Sequence, residues 1–131
     1  MTLRLAACSC GQLTARVTAE PVRVSVCHCL ACQRRTGGPF AQQARFPREQ
    51  VEVAGESTTY VRVGDEGTRA HFHFCPRCGV TVWYAPEAFP DFLVIPVGVF
   101  AEPGFPAPTV SVYESRKHPW VVMPAGAEHY D

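Results

Sequence analysis

The stretch Phe74-Cys75-Pro76-Arg77-Cys78-Gly79 decides the fold of this chain. Two cysteines separated by two residues make a tight turn in which both sulfurs face one metal ion. Gly79 suits the positive backbone angle that often follows such a turn, where backbone amides can donate to the sulfurs. The same spacing occurs in redox cysteine pairs, but those need a βαβ context that this strand-rich chain lacks.

A second cysteine motif, Cys8-Ser9-Cys10-Gly11, also ends in Cys-Gly and leads directly into an alternating strand. Four thiolates complete a tetrahedral site with zinc–sulfur bonds of about 2.3 Å. Such a closed site has no room for a substrate, so its role is to fix the N-terminal strand to the middle of the chain. The residues predicted to hold this structural zinc are Cys8, Cys10, Cys75 and Cys78.

The remaining three cysteines form the motif Cys27-His28-Cys29-Leu30-Ala31-Cys32. Three protein ligands with an open fourth position are typical of a catalytic zinc. Cys27, Cys29 and Cys32 are therefore predicted to be the catalytic site. His28 lies between two ligands that point inward, so its side chain is predicted to point away from the metal.

Two arginines and a flexible Gly-Gly turn follow this motif, in Gln33-Arg34-Arg35-Thr36-Gly37-Gly38. Guanidinium groups bind carboxylates in a bidentate manner, so Arg34 and Arg35 are candidates for binding substrate carboxylates. Charged loop residues are also commonly just solvated. Both interpretations remain open from the residues alone.

Composition narrows the class of protein. Seven cysteines are an odd number and cannot all pair as disulfides. The absence of a long apolar run predicts no signal peptide and no membrane span, and places the chain in the cytoplasm, where thiols stay reduced. A formal net charge of zero counts against a nucleic-acid partner.

Alternating apolar and polar residues predict a mainly β protein with many short strands. The predicted strands cover 12–18, 22–26, 59–63, 69–74, 80–84, 93–99 and 109–113. One helical turn is predicted over 29–36. The chain has no repeat and no low-complexity linker, so residues 1–131 are predicted to form a single zinc-binding domain.

The three motifs together resemble the glutathione-dependent formaldehyde-activating enzyme (GFA) family, which includes proteins like centromere protein V. The resemblance also includes Cys-Gly-Gln-Leu at 10–13, Gln-Arg-Arg-Thr-Gly at 33–37 and Lys-His-Pro-Trp at 117–120. It implies an Mss4-like β-tent of short antiparallel sheets with zinc knuckles. It also implies two zinc ions per chain, with the division of cysteines given above.

The family's named reaction adds glutathione to formaldehyde, and the reverse direction classes it as a carbon–sulfur lyase. The resemblance therefore implies a lyase of the S-(hydroxymethyl)glutathione synthase type, with a small thiol and an aldehyde as its partners. A zinc ion with three thiolate ligands is a mild Lewis acid. It is therefore expected to activate the glutathione thiol, or simply to bring the two substrates together, rather than to polarise the aldehyde.

Three alternatives belong to other classes. A non-enzymatic interaction module of the Mss4-like fold would need only the structural zinc, and Cys27, Cys29 and Cys32 argue against it. A methionine sulfoxide reductase of the related fold needs a nucleophilic cysteine on a late strand, and no cysteine follows Cys78. A nucleic-acid zinc ribbon would need a basic strand face.

Overall fold

The computed structural model describes residues 3–131. Within that range the chain forms eleven β-strands and one short α-helix. The strands are β1 Arg4–Ala7, β2 Thr14–Val17, β3 Arg23–Cys27, β4 Ala41–Pro47, β5 Val51–Ala54, β6 Thr58–Val63, β7 Arg69–Phe74, β8 Thr81–Pro86, β9 Phe92–Pro96, β10 Val110–Val112 and β11 Glu128–His129. The helix, α1, spans Leu30–Thr36, and 3-10 turns span Arg48–Gln50, Val97–Phe100 and Glu114–Arg116.

The strands form two sheets. The larger has eight strands in the order β11-β10-β3-β4-β9-β8-β7-β6, and the smaller has the order β1-β2-β5. All described pairs are antiparallel except β10 with β3 and β10 with β11. The prediction of a mainly β protein built from short antiparallel sheets is therefore confirmed.

The main core lies between the two sheets. Val24 on β3, Phe46 on β4 and Ile95 on β9 are buried in one cluster with Ala15 and Val17 of β2. Alternate residues of a strand point to opposite faces, so this face of the large sheet is apolar. Its burial against the small sheet removes the apolar surface of both sheets from water.

The opposite face of the large sheet is polar around β3 and β4. Arg23, Ser25 and Cys27 alternate with the core residues of β3. In the antiparallel register Arg23 lies opposite Arg45, and Ser25 lies opposite Gln43. The same sheet therefore presents a core on one side and charged side chains beside a cysteine on the other.

Helix α1 begins directly after Cys29, as the predicted helical turn over 29–36 requires. Cys29 is its N-cap, because the Cys29 Sγ accepts a hydrogen bond from the backbone N–H of Cys32. The helix ends at Gly37, which has a φ of 72° and donates its backbone N–H to the carbonyl oxygen of Gln33. No helix within residues 3–131 is long and apolar enough to cross a membrane.

The predicted strand over 93–99 is wrong in its second half. Strand β9 ends at Pro96, and a 3-10 turn follows over Val97–Phe100. Proline has no N–H for the next ladder bond, so the strand cannot continue through it as paired backbone. The sequence pattern does not predict strands β1, β4, β5 and β11, because they are short or carry little apolar alternation.

Candidate metal centres and an arginine-lined cavity

The turn between β1 and β2 positions the first pair of sulfurs. The backbone N–H of Cys8 donates to the carbonyl oxygen of Leu13 at 3.0 Å, and that of Gly11 donates to the carbonyl oxygen of Cys8 at 3.0 Å. Gly11 has a φ of 83°, a conformation that favours glycine. The backbone N–H of Leu13 also donates to the Cys8 Sγ at 3.3 Å.

The turn between β7 and β8 has the same construction. The backbone N–H of Cys75 donates to the carbonyl oxygen of Val80 at 3.0 Å, and that of Gly79 donates to the carbonyl oxygen of Cys75 at 2.8 Å. Gly79 has a φ of 80°, as its place after the motif predicts. The N–H of Arg77 donates to the Cys75 Sγ at 3.3 Å, so the turn presents that sulfur to polarised amides.

These two turns bring four sulfurs together, one pair from each sheet. The sulfurs of Cys8, Cys10, Cys75 and Cys78 all lie within 4.8 Å of one another. The Cys10 sulfur lies 3.6 Å from those of Cys8 and Cys75. Sulfurs at the vertices of a zinc tetrahedron are about 3.8 Å apart for bonds of ~2.3 Å, so the donor set fits zinc.

The Cys75 sulfur is buried and surrounded by hydrogen-bond donors. Cys75 is fully buried, and burial by itself raises the pKa of its thiol. Hydrogen bonds from the Gln12 side chain and from the backbone of Cys78 and Arg77 outweigh burial and lower the pKa to about 6. A thiolate is the form that binds a metal, so this environment favours metal binding.

Gln12 links this cluster to the turn that joins β5 and β6. Its Nε2 donates to the Cys75 Sγ at 3.0 Å and to the carbonyl oxygen of Glu56 at 2.7 Å. The backbone N–H of Glu56 donates back to the Gln12 Oε1 at 2.9 Å. No local sequence pattern predicts this contact, since 44 positions separate the two residues.

Gly55 permits the Gln12 contact, and we expect Gly55→Ala to destabilise the protein. A Cβ at this position would lie 2.0 Å from the carbonyl oxygen of Gln12, and the φ of 98° already disfavours alanine. Strain of this kind costs roughly 1–3 kcal/mol, and the clash adds to it. A thermal melt with and without added zinc measures the loss.

Gly67→Ala is the matched control, because Gly67 has a φ of 84° and no atom lies within 4 Å of the place that an alanine Cβ would occupy. It introduces the strain alone, so Gly55→Ala should lower the melting temperature more. Equal losses in the two variants would contradict the importance of the Gln12 contact.

The second cluster contains Cys27, Cys29 and Cys32, whose sulfurs lie within 4.8 Å of one another. Cys27 ends β3, Cys29 caps α1 and Cys32 lies in its first turn. Cys27 and Cys32 are buried and Cys29 is half-buried. Three soft sulfur donors fit zinc and leave one tetrahedral position for another ligand.

The three thiols are not equivalent. Hydrogen bonds from Cys27 and Cys32 lower the pKa of Cys29, and those from Cys29 and Cys32 raise the pKa of Cys27. The backbone N–H of Cys32 also donates to the Cys29 Sγ at 3.3 Å. Negative charge therefore concentrates on Cys29, the most exposed of the three cysteines.

His28 points away from the cluster, as predicted. Its side chain is fully buried, and its Nε2 lies 2.9 Å from the Ser111 Oγ on β10. Its backbone N–H donates to the carbonyl oxygen of Val112 at 3.1 Å. These contacts fix the segment between Cys27 and Cys29 to strand β10.

Gln33 fixes the same segment from the other side. Its Nε2 donates to the carbonyl oxygens of His28 at 2.9 Å and Arg116 at 3.2 Å. Its Oε1 accepts a hydrogen bond from the His118 Nε2 at 2.9 Å. The C-terminal segment thus supports the cysteine motif without supplying a sulfur, a role that the sequence did not reveal.

A cavity of about 270 Å³ lies beside Cys27 and Cys32 on the polar face of the large sheet. Among its lining residues are four arginines: Arg23, Arg45, Arg62 and Arg69. Sequence reasoning missed them, although the alternation Arg23-x-Ser25-x-Cys27 places an arginine on the same face as a predicted metal ligand. That alternation was the available signal.

The predicted carboxylate-binding pair lies elsewhere. Arg34 is exposed and borders a groove that His118 and Trp120 also line. The Arg35 guanidinium lies over the rings of Phe72 and Tyr84, at 5.1 and 5.4 Å from their centroids. Neither arginine is among the residues that line the cavity beside Cys27 and Cys32.

Fold and sites together define a mainly β protein with two cysteine clusters that could each hold a metal ion. A family model described as glutathione-dependent formaldehyde-activating enzyme matches residues 4–116, and the chain belongs to this GFA family. The fold is also similar to that of a crystal structure of a Rhodobacter sphaeroides protein, with a TM-score of 0.60. That likeness covers 97% of this chain and 99% of the other, at 19% identity.

Proposed function

We propose that this protein is a zinc-dependent enzyme of the carbon–sulfur lyase class that joins glutathione, or another small thiol, to an aldehyde such as formaldehyde. The observation that supports this most is the position of Cys27 and Cys32 on the wall of a cavity lined by arginines. A buried metal-ligand cluster beside a cavity gives a ligand access to it. The family description supports the same reaction class.

In the proposed reaction the thiol sulfur attacks the carbonyl carbon. A carbon–sulfur bond forms, the π bond of the carbonyl breaks, and the thiol proton ends on the new hydroxyl. The adduct is a hemithioacetal, and no oxidant or reductant is needed. The protein has to bring two small molecules together and lower the pKa of the thiol.

Cys27, Cys29 and Cys32 are the residues proposed to hold the catalytic zinc. Bound there, zinc would lower the pKa of a substrate thiol. Cys8, Cys10, Cys75 and Cys78 are proposed to hold the structural zinc, because they join the two sheets. Thiolate ligands of this kind persist in a reducing compartment, so we propose that the protein works in the cytoplasm as a single domain over residues 1–131.

Tyr84 is the side chain proposed to stabilise the developing negative charge on the aldehyde oxygen by donating a hydrogen bond to it. It lines the same cavity, and burial raises its pKa. The phenol therefore stays protonated at neutral pH and can donate a hydrogen bond. Arg62 lies close enough to Cys32 for their charges to interact. The cavity therefore places a guanidinium group beside the sulfur cluster.

Exchange of ¹³C-formaldehyde between the free and the glutathione-bound form tests this proposal. Two-dimensional exchange NMR at equilibrium reports the rate in the presence of the uncatalysed background. We expect micromolar protein to raise the rate at least about tenfold, which corresponds to lowering the barrier by about 1.4 kcal/mol. A rate equal to that of buffer with every thiol–aldehyde pair tried would contradict the proposed function.

A non-enzymatic interaction module is the second candidate. Edge strand β6 exposes Tyr60, Val61 and Val63, with 60%, 40% and 59% of their surface accessible. Apolar side chains on a free strand edge are the kind of surface that binds a partner chain. One tightly bound zinc per chain would favour this candidate, and two would favour the enzyme.

A further inference from the structure

The cavity beside Cys27 and Cys32 concentrates positive charge in a chain whose formal net charge is zero. Four arginines contribute to its lining, and no aspartate or glutamate of the described residues does. Arg23, Arg45 and Arg62 are each half-buried, so their charges are only partly screened by water. Like charges held at this density repel one another unless an anion lies between them.

No carboxylate of the described residues neutralises these arginines, although Arg62 lies beside the sulfurs of Cys29 and Cys32. Within residues 3–131 the ion pairs of arginine involve Arg4 alone. The buried Nε of Arg23 and Nη1 of Arg62 have no hydrogen-bond partner among the described residues. A buried donor without a partner is costly, so both atoms fit an acceptor supplied by a ligand.

Arg45 is held in place by aromatic rings rather than by a carboxylate. Its guanidinium lies 4.3 Å from the ring centroid of Phe89 and 5.8 Å from that of Phe92. Burial and the charge of Arg23 both lower its pKa. Stacking on rings fixes the guanidinium while leaving its donors for a ligand.

The arginines reach the cavity from two sides. Arg23 and Arg45 are opposite each other on β3 and β4. Arg62 comes from β6 and Arg69 from β7, at the other end of the sheet, and these two are not cross-strand partners. Strands β9 and β8 separate β4 from β7, a distance of roughly 14 Å along the sheet at ~4.8 Å per strand.

We propose that the substrate thiol of this cavity is a small dianion, with two carboxylates bound by arginines from the two sides of the cavity and no ammonium group inside the cavity. That the ligand is a thiol rests on the proposed function, whereas its negative charge is inferred from the arginines alone. An ammonium group would find four guanidinium groups and no carboxylate among the described lining residues. Glutathione has an ammonium group, so it fits less well than a dicarboxylate thiol of smaller size.

Calorimetric titration with a series of probes tests the charge requirement. Mercaptosuccinate has two carboxylates, 3-mercaptopropionate has one and 2-mercaptoethanol has none. We expect mercaptosuccinate to bind about tenfold more tightly than 3-mercaptopropionate, and added salt to weaken its binding. Equal affinity for mercaptosuccinate and 2-mercaptoethanol would overturn the proposal, as would tighter binding of glutathione than of mercaptosuccinate.

Arginine variants test whether mercaptosuccinate binds in this cavity. Arg23→Gln and Arg69→Gln each remove one charge from a different side, and each should weaken mercaptosuccinate about tenfold without changing 2-mercaptoethanol. Arg16→Gln is the control, because Arg16 is exposed on β2 and does not line the cavity. Equal affinities of all three variants and the unaltered protein would overturn the proposal.

Succinate separates this inference from the proposed function, because it has both carboxylates and no sulfur. Competition of succinate with mercaptosuccinate supports a dianion site even if exchange NMR detects no thiol–aldehyde catalysis. Catalysis with no preference for dianions would support the enzyme and overturn the dianion proposal.

Discussion

Cys75→Ser is expected to leave most of the protein unfolded at room temperature. Cys75 is fully buried, its sulfur accepts hydrogen bonds from Gln12 and Arg77, and it lies 3.6 Å from the Cys10 sulfur. A serine hydroxyl is not ionised at neutral pH and would not replace the thiolate as a zinc ligand. The variant should therefore lose the structural zinc that is proposed to join the two sheets.

The size of this effect follows from two magnitudes. Structural zinc sites contribute about 10–16 kcal/mol in small zinc domains, and the net stability of a folded domain is about 5–15 kcal/mol. Losing even half of the metal contribution is enough to abolish a cooperative melt. Circular dichroism melts in reducing buffer and zinc analysis of the soluble fraction measure both consequences.

Ser9→Ala is the matched control, since Ser9 is exposed in the turn that contains Cys8 and Cys10. It alters the same turn without removing a sulfur, so its melt should stay close to that of the unaltered protein. A Cys75→Ser protein that melts within a few degrees of the unaltered one would show that these four cysteines do not hold a structural metal.

Cys29→Ser is expected to abolish catalysis while the fold persists. The exchange rate of the thiol and the aldehyde should fall to that of buffer, and one zinc per chain should be lost. Loss of an outer-shell partner of a metal typically lowers metal affinity by ~10–100-fold, and loss of a direct ligand should cost more. Zinc analysis and exchange NMR on the same sample measure the two effects.

The fold should persist because serine can take over the local role of Cys29. The Cys29 sulfur caps α1 by accepting from the backbone N–H of Cys32, and serine is among the preferred N-cap residues. Cys29 is also half-buried, so the substitution creates little cavity. The loss of stability should stay below about 1 kcal/mol apart from the effect of the metal.

Cys29→Ala distinguishes the contribution of the helix cap from that of the metal. It should abolish catalysis as Cys29→Ser does, and it should lose a further ~0.5–2 kcal/mol because alanine cannot cap the helix. If Cys29→Ser proves more damaging to the thermal melt than Cys75→Ser, the proposed division of the cysteines is wrong.

The three cysteine motifs could be predicted because each depends on short spacings. Two residues between Cys75 and Cys78, and a glycine after Cys10 and after Cys78, restrict the backbone to a few tight turns. Strands β2, β7 and β8 beside these turns could be predicted from alternation for the same local reason, whereas β1 could not. The helical turn predicted over 29–36 matches α1 at Leu30–Thr36.

The partners of those motifs could not be predicted, because they come from distant parts of the chain. Gln12 reaches the Cys75 sulfur across 63 positions, and Gln33 accepts from His118 across 85. Strand β4 was missed because its half-buried polar residues give little alternation, although it supplies Arg45 to the cavity. Contacts of this kind depend on sheet order, which local pattern does not determine.

By itself the sequence determined the spacing within each cysteine motif and the short strands that separate the motifs, because each of these follows from neighbouring residues. Tertiary structure alone decided that the four cysteines of the first cluster join two sheets. It also decided that arginines from β3, β4, β6 and β7 line the cavity beside the second cluster. The physical reason is strand pairing: the order of strands in the sheet brings charges that are far apart in sequence to one cavity, at a cost that an anionic ligand can offset.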